Sequence, residues 1–170
     1  MNGEIRAGHR YHAADAPAGS IPPALSATRS GIELLRDMIA GKLPGPGIAR
    51  TLNFLLVAVD DGYAEFHGVP LEEHYNPAGT VHGGWTGTLL DSALGCAVQT
   101  KVAAGFASTT IEYKVNLVRP MFKDTGRVVC AARVIHMGRT TAVSEATLKT
   151  ADGKLVAIGT ETCSIFPLKA

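Results

Sequence analysis

Between Asn76 and Thr100 the chain reads NPAGTVHGGWTGTLLDSALGCAVQT. Turn residues lead into a His-Gly-Gly, and a run of small and apolar residues follows with one carboxylate, Asp91, near its middle. The run predicts a helix over roughly Gly84–Lys101, on the order of 27 Å long at ~1.5 Å per residue. A helix that is apolar nearly all round has to be buried, and an ionised carboxylate is costly to bury without a partner. The rest of the chain must therefore wrap this helix, and Asp91 is either on a special face or kept there for chemistry.

The flanking segments can supply that wrapping. Ser30 and Glu33 form a capping-box pattern, Ile32, Leu35 and Ile39 recur at helical spacing, and Gly41 and Pro44 stop the short helix they predict. Pro44–Gly47 reads as a linker into a strand at Thr51–Asp60, and Asp61-Gly62 turns it into a returning strand at Tyr63–Val69. A loop over Glu72–Thr80 leads to the long helix. Beyond it, Ile111, Tyr113, Val115 and Leu117 alternate with polar residues, which predicts a half-buried strand. Val128–Ile135, Thr141–Lys149 and Leu155–Phe166 are three more, separated by Met137-Gly138-Arg139 and Asp152-Gly153. Strands joined by tight turns make an antiparallel sheet, so the expected class is α+β, about six strands wrapped on one helix. One domain over 30–170 is expected, after a loose arm, 1–29, rich in Ala, Gly, Pro and His.

Composition narrows the function. Apolar residues are 46% and charged residues 18% of the 170, which fits a soluble globular protein. A formal net charge of +1 with no Lys/Arg run argues against nucleic acid, though not against a ligand anionic at one end. The three cysteines, Cys96, Cys130 and Cys163, are far apart and each sits in an apolar run, as buried free thiols in a reducing compartment do. No Cys or His pair has convincing zinc spacing, and His9 and His12 lie in the polar arm. There is no apolar run of the ~18 residues a membrane span needs. The start lacks the apolar core of a secretory signal, so a cytoplasmic protein is expected.

Asn76-Pro77-x-Gly79-Thr80-Val81-His82-Gly83-Gly84, followed by Leu89-Leu90-Asp91-Ser92-Ala93, resembles the signature of the PaaI-type acyl-CoA thioesterases. Tyr113-Lys114-Val115-Asn116-x-x-Arg119-Pro120 and His136-x-Gly138-Arg139 are similar to later segments of that family, and the match spans about 45–167. The resemblance implies a hotdog fold and hydrolysis of acyl-CoA to a carboxylic acid and free CoA, with neither metal nor bound organic cofactor. It implies a homodimer as the minimal active unit, and commonly a homotetramer. The Gly83 N–H would bind the thioester carbonyl oxygen with Asn76 close by, and Asp91 of the partner subunit would act as general base or nucleophile. A hydroxyl on the strand after the helix would assist; Thr110 matches best, with Thr109 and Ser108 as neighbours.

The chemistry of these residues agrees. Thioester hydrolysis needs negative charge stabilised on a carbonyl oxygen, and free N–H groups at a helix start provide that. Gly83 and Gly84 would let a substrate approach the backbone, or would simply make a turn. Gly84, Gly87, Thr88, Asp91 and Gly95 share one stripe of the helix, nearly free of bulk. Asp91 on that stripe reads as catalytic or as a hydrogen-bonded structural carboxylate. Asn76 before Pro77 is a turn former or an orienting amide. His82 reads as a loop-ordering residue beside the substrate rather than a general base, and Cys96 as packing rather than a nucleophile. Trp85 packs under the sheet or lines the acyl pocket. Among Lys114, Arg119, Arg133 and Arg139, the last follows a Gly turn suited to a CoA phosphate. A hotdog hydratase and a non-catalytic acyl-CoA sensor are the competing readings.

Overall fold

The computed structural model describes residues 5–12 and 17–168. In chain order come helices α1 (Pro23–Thr28), α2 (Gly31–Ile39) and α3 (Gly47–Thr51), then strands β1 (Phe54–Asp60) and β2 (Tyr63–Gly68). Helix α4 (Gly83–Gln99) follows, and strands β3 (Phe106–Leu117), β4 (Val128–Met137), β5 (Thr141–Thr150) and β6 (Leu155–Pro167) complete the chain. The six strands form one antiparallel sheet in the order β1-β2-β4-β5-β6-β3, and α4 packs against every one of them.

The expected wrapping is present. Trp85, Leu89, Leu90, Ala93, Leu94 and Ala97 of α4 are buried against Phe54, Phe66, Cys130, Leu148 and Val156 from the sheet, and Val98 against Ala142, Cys163 and Ile165. The side of α4 carrying Thr88, Asp91, Ser92, Gly95 and Cys96 stays half-buried, so the sheet covers one face and leaves the small-residue stripe open. Helix α2 closes the far end: Gly31 N–H donates to Val102 O at 2.9 Å, and Leu34 and Leu35 are buried. Only glycine fits at 31, because a Cβ there would lie 1.9 Å from Gln99 O. Among the described residues no helix is long and apolar enough to cross a membrane.

Three features add to these expectations. The first strand begins at Phe54, because Gly47–Thr51 is a helical turn started by Pro46 and closed by the Thr51 hydroxyl on Gly47 O at 3.2 Å. Within the arm, α1 is helical, and Tyr11 N–H donates to Asn53 Oδ1 while Asn53 Nδ2 donates to His9 O and Val69 O. His12 Nε2 lies 2.8 Å from Phe54 O, and Arg10 pairs with Glu73 at 2.7 Å, so these arm residues lie on the chain's own domain. Finally, β3 is exposed rather than half-buried: Ile111, Tyr113 and Leu117 are 60%, 47% and 55% accessible. As an edge strand β3 has a neighbour on one side only, and its apolar side chains stand beside the open stripe of α4.

Candidate active site

The loop before α4 is built by Asn76. Its Oδ1 accepts from Ala78 N and Thr80 N, its Nδ2 donates to Thr80 Oγ1 at 2.9 Å, and its backbone N–H donates to Thr80 O. The side chain is thus engaged as a turn former, at the edge of a cleft of about 290 Å³ that Gly83, Thr86, Leu117 and Arg119 also line. His82 caps the helix: its Nδ1 accepts from Gly84 N–H at 2.8 Å, a loop-ordering bond. A Cβ on Gly84 would sit 2.9 Å from that nitrogen, so the glycine serves the cap. Gly83 is the first helical residue, and its N–H has no hydrogen-bond partner among the described residues. It is an open donor at the positive end of α4.

Asp91 lies on the open stripe of the same helix. Of the three candidate hydroxyls, Thr110 is the one that reaches it, with Oγ1 3.4 Å from Oδ1, while Ser108 donates to Gln99 Oε1 at 2.9 Å. Thr109 is exposed between them, with its side chain on the other side of the strand. The β3–β6 register shifts between Thr110 and Glu112, a bulge at Ile111 that sequence spacing could not locate. The apolar side chains of β3 run along the stripe, Leu117 against Gly83 and Tyr113 against Gly87.

One acidic residue absent from the sequence reading joins the cluster. Glu161 of β6 is 0% accessible; its Oε1 accepts from Thr110 Oγ1 at 3.0 Å and Cys163 Sγ at 2.9 Å, and Oε2 has no partner. Burial, opposed by those two donors and reinforced by the nearby charge of Asp91, raises the Glu161 carboxyl to about 7. The signal was present: Ala157, Gly159, Glu161, Cys163 and Ile165 are the inward phase of β6, and a carboxylate there breaks an apolar alternation.

Other expected site residues lie elsewhere. Trp85, read as substrate-binding, is 3% accessible, donates Nε1–H to Leu52 O at 2.7 Å and stacks on His74, which makes it core. Arg139 is exposed at the β4–β5 turn, beyond the C-terminal end of α4 and away from Gly83 of its own chain. Cys96 is no nucleophile, since burial, followed by the charges of Glu161 and Asp91, pushes its thiol up to about 12. Beneath α2 and α3 an apolar cavity of about 770 Å³ is lined by Met38, Leu43, Leu55 and Phe66 and reaches Ser92 and Cys96 of α4.

Gly83 and Asp91 are eight residues apart on one helix, about 12 Å along its axis. An oxyanion donor must lie ~3 Å from the oxygen it stabilises, and a base must reach the same carbonyl group within a similar distance. One chain therefore presents the two groups at separate places along the open face of α4.

The thioesterase superfamily model matches residues 78–157. The human acyl-coenzyme A thioesterase 13 is 34% identical over 130 residues, covering 75% of this chain and 91% of that protein. A phenylacetic acid degradation-related protein of Ralstonia eutropha, known by crystal structure, is 32% identical with a TM-score of 0.70, covering 76% of this chain and 98% of that one. The Escherichia coli PaaI protein, at 20% identity, shares the fold with a TM-score of 0.69 over 83% of this chain and 98% of its own.

Proposed function

The chain belongs to the thioesterase superfamily, and from that premise we propose that it hydrolyses acyl-coenzyme A thioesters to a carboxylic acid and free coenzyme A at sites shared between two subunits. The observation that carries this reading is the separation of an unengaged donor, Gly83 N–H, from the Asp91–Thr110 pair on one open face. Gly87 lies midway between Gly83 and Asp91, with the Tyr113 side chain of β3 packed against it. Two antiparallel copies of α4 related by a two-fold axis near Gly87 set each Gly83 opposite the partner's Asp91. The exposed Ile111, Tyr113 and Leu117 of β3 supply apolar surface for that contact.

At such a site the Gly83 N–H holds the carbonyl oxygen and Asp91 of the other subunit removes a proton from the attacking water, with Thr110 orienting the carboxylate. Asn76 holds the Gly83 loop in place. The apolar cavity reaching Ser92 and Cys96 suits the hydrocarbon part of the acyl group, and Arg139 beyond the end of α4 suits a coenzyme phosphate.

Release of free thiol from a panel of aryl- and alkyl-CoA substrates tests this. Wild-type protein should turn over at least one class, and Asp91→Asn and Asp91→Ala should lose all but ~1% of that rate while keeping the native fold. Undiminished turnover in Asp91→Ala would remove Asp91 from the mechanism. Tight acyl-CoA binding without turnover would favour a sensor, and hydration of crotonyl-CoA a hydratase.

A further inference from the structure

Glu161 has no role in the mechanism above, yet a fully buried carboxylate with one unpartnered oxygen needs a physical reason. Thr110 Oγ1 lies between it and Asp91, 3.0 Å from Glu161 Oε1 and 3.4 Å from Asp91 Oδ1, so one hydroxyl bridges the two acids. Two anions so placed repel, whereas one proton shared between them is accommodated by the Thr110 hydroxyl, which can donate to one acid and accept from the other. We infer that Asp91 and Glu161 work as one proton-sharing pair, in which Glu161, a positioning residue that does not touch substrate, sets the proton affinity of the catalytic base. The inference rests on the acyl-CoA hydrolysis proposed above.

The chemistry favours a pair over a lone carboxylate. An isolated carboxylate titrates near 4 and is a weak base toward water, while efficient proton transfer wants a base close to the working pH. The Glu161 carboxyl gives up its proton at about 7. In the first step water loses a proton to the pair, its oxygen bonds to the thioester carbon, and the carbonyl electrons move to the oxygen held by Gly83. In the second, that oxyanion re-forms the carbonyl, the C–S bond breaks, and the pair returns its proton to the departing thiolate. A thiol near 8.5 holds that proton more tightly than the pair, so the return is downhill. The groups facing Glu161 are Asp91 and Cys96 from α4, Thr110 from β3 and Cys163 from β6, and Tyr113 of β3 and Ser144 of β5 lie opposite it in register.

The test compares pH profiles of kcat/KM for wild type and Glu161→Gln, which keeps the size and removes the titration. Wild-type kcat/KM should rise through pH about 7. In Glu161→Gln, whatever its absolute level, the rise should move down by at least ~1 pH unit, a tenfold loss of proton affinity. A rise at the wild-type position in Glu161→Gln overturns the pairing. Carboxyl NMR of protein carrying 13C-labelled glutamate reports on Glu161 without any substrate. One glutamate should titrate near 7, vanish in Glu161→Gln and move lower in Asp91→Asn. No such signal, or one unmoved by Asp91→Asn, overturns the pairing as well. A wild-type protein that releases no thiol but shows this titration would contradict the proposed hydrolysis alone.

Discussion

At the scale of single residues, the proposed site turns on two carboxylates that the sequence makes unequally visible. Asp91 could be read because it interrupts a long apolar helix. Glu161 could not be read so easily, because Thr160 and Thr162 flank it and the strand looks polar there. Only the phase set by Gly159, Cys163 and Ile165 shows that it points inward. Its burial also has a stability consequence. A carboxyl whose folded-state value is raised stabilises the fold fully below its ordinary value of 4.5, and that contribution is lost as pH rises through about 7. Thermal unfolding of the wild type should therefore shift to lower temperature between about pH 5 and about pH 8, and Glu161→Gln should flatten that slope. An unchanged slope in Glu161→Gln would mean that another group causes it. His82, Gly84 and Asn76 belong to the same scale: each was singled out from the motif, and each is occupied in shaping the loop that presents Gly83.

At the scale of elements, hairpin signals and alternation located the strands well. Asp61-Gly62 and Asp152-Gly153 sit in their turns, with Gly62 and Gly153 at φ 71° and 85°. What sequence could not locate was set by tertiary contacts. The bulge at Ile111 selects Thr110 over its neighbours, and α3 exists because Pro46 starts a turn that β-branched residues alone would not suggest. Helices α2 and α3 also roof the apolar cavity, with Leu55 of β1 on its wall. Leu55→Trp should fill part of that space. If the cavity takes the acyl chain, KM for long acyl-CoA substrates should rise about tenfold, with short ones little affected. Equal effects on both would place the chain elsewhere.

At the scale of the whole molecule, one feature accounts for both the exposed apolar edge and the split chemistry. Strand β3 ends the sheet with apolar side chains beside the open stripe of α4, and that stripe holds a donor and a base about 12 Å apart. In the proposed dimer a second copy covers the surface and completes the site in one step. The direct test is complementation between two inactive variants. Gly83→Pro removes the N–H at the first helical position, where proline is tolerated, and the preceding His82 already has the extended backbone that proline requires. Asp91→Asn removes the base. Each variant alone should be nearly inactive. Subunits of the two, unfolded and refolded together, should recover about a quarter of wild-type thiol release, because half the dimers are mixed and each mixed dimer has one intact site. No recovery in mixed dimers that demonstrably form would contradict a site shared between subunits.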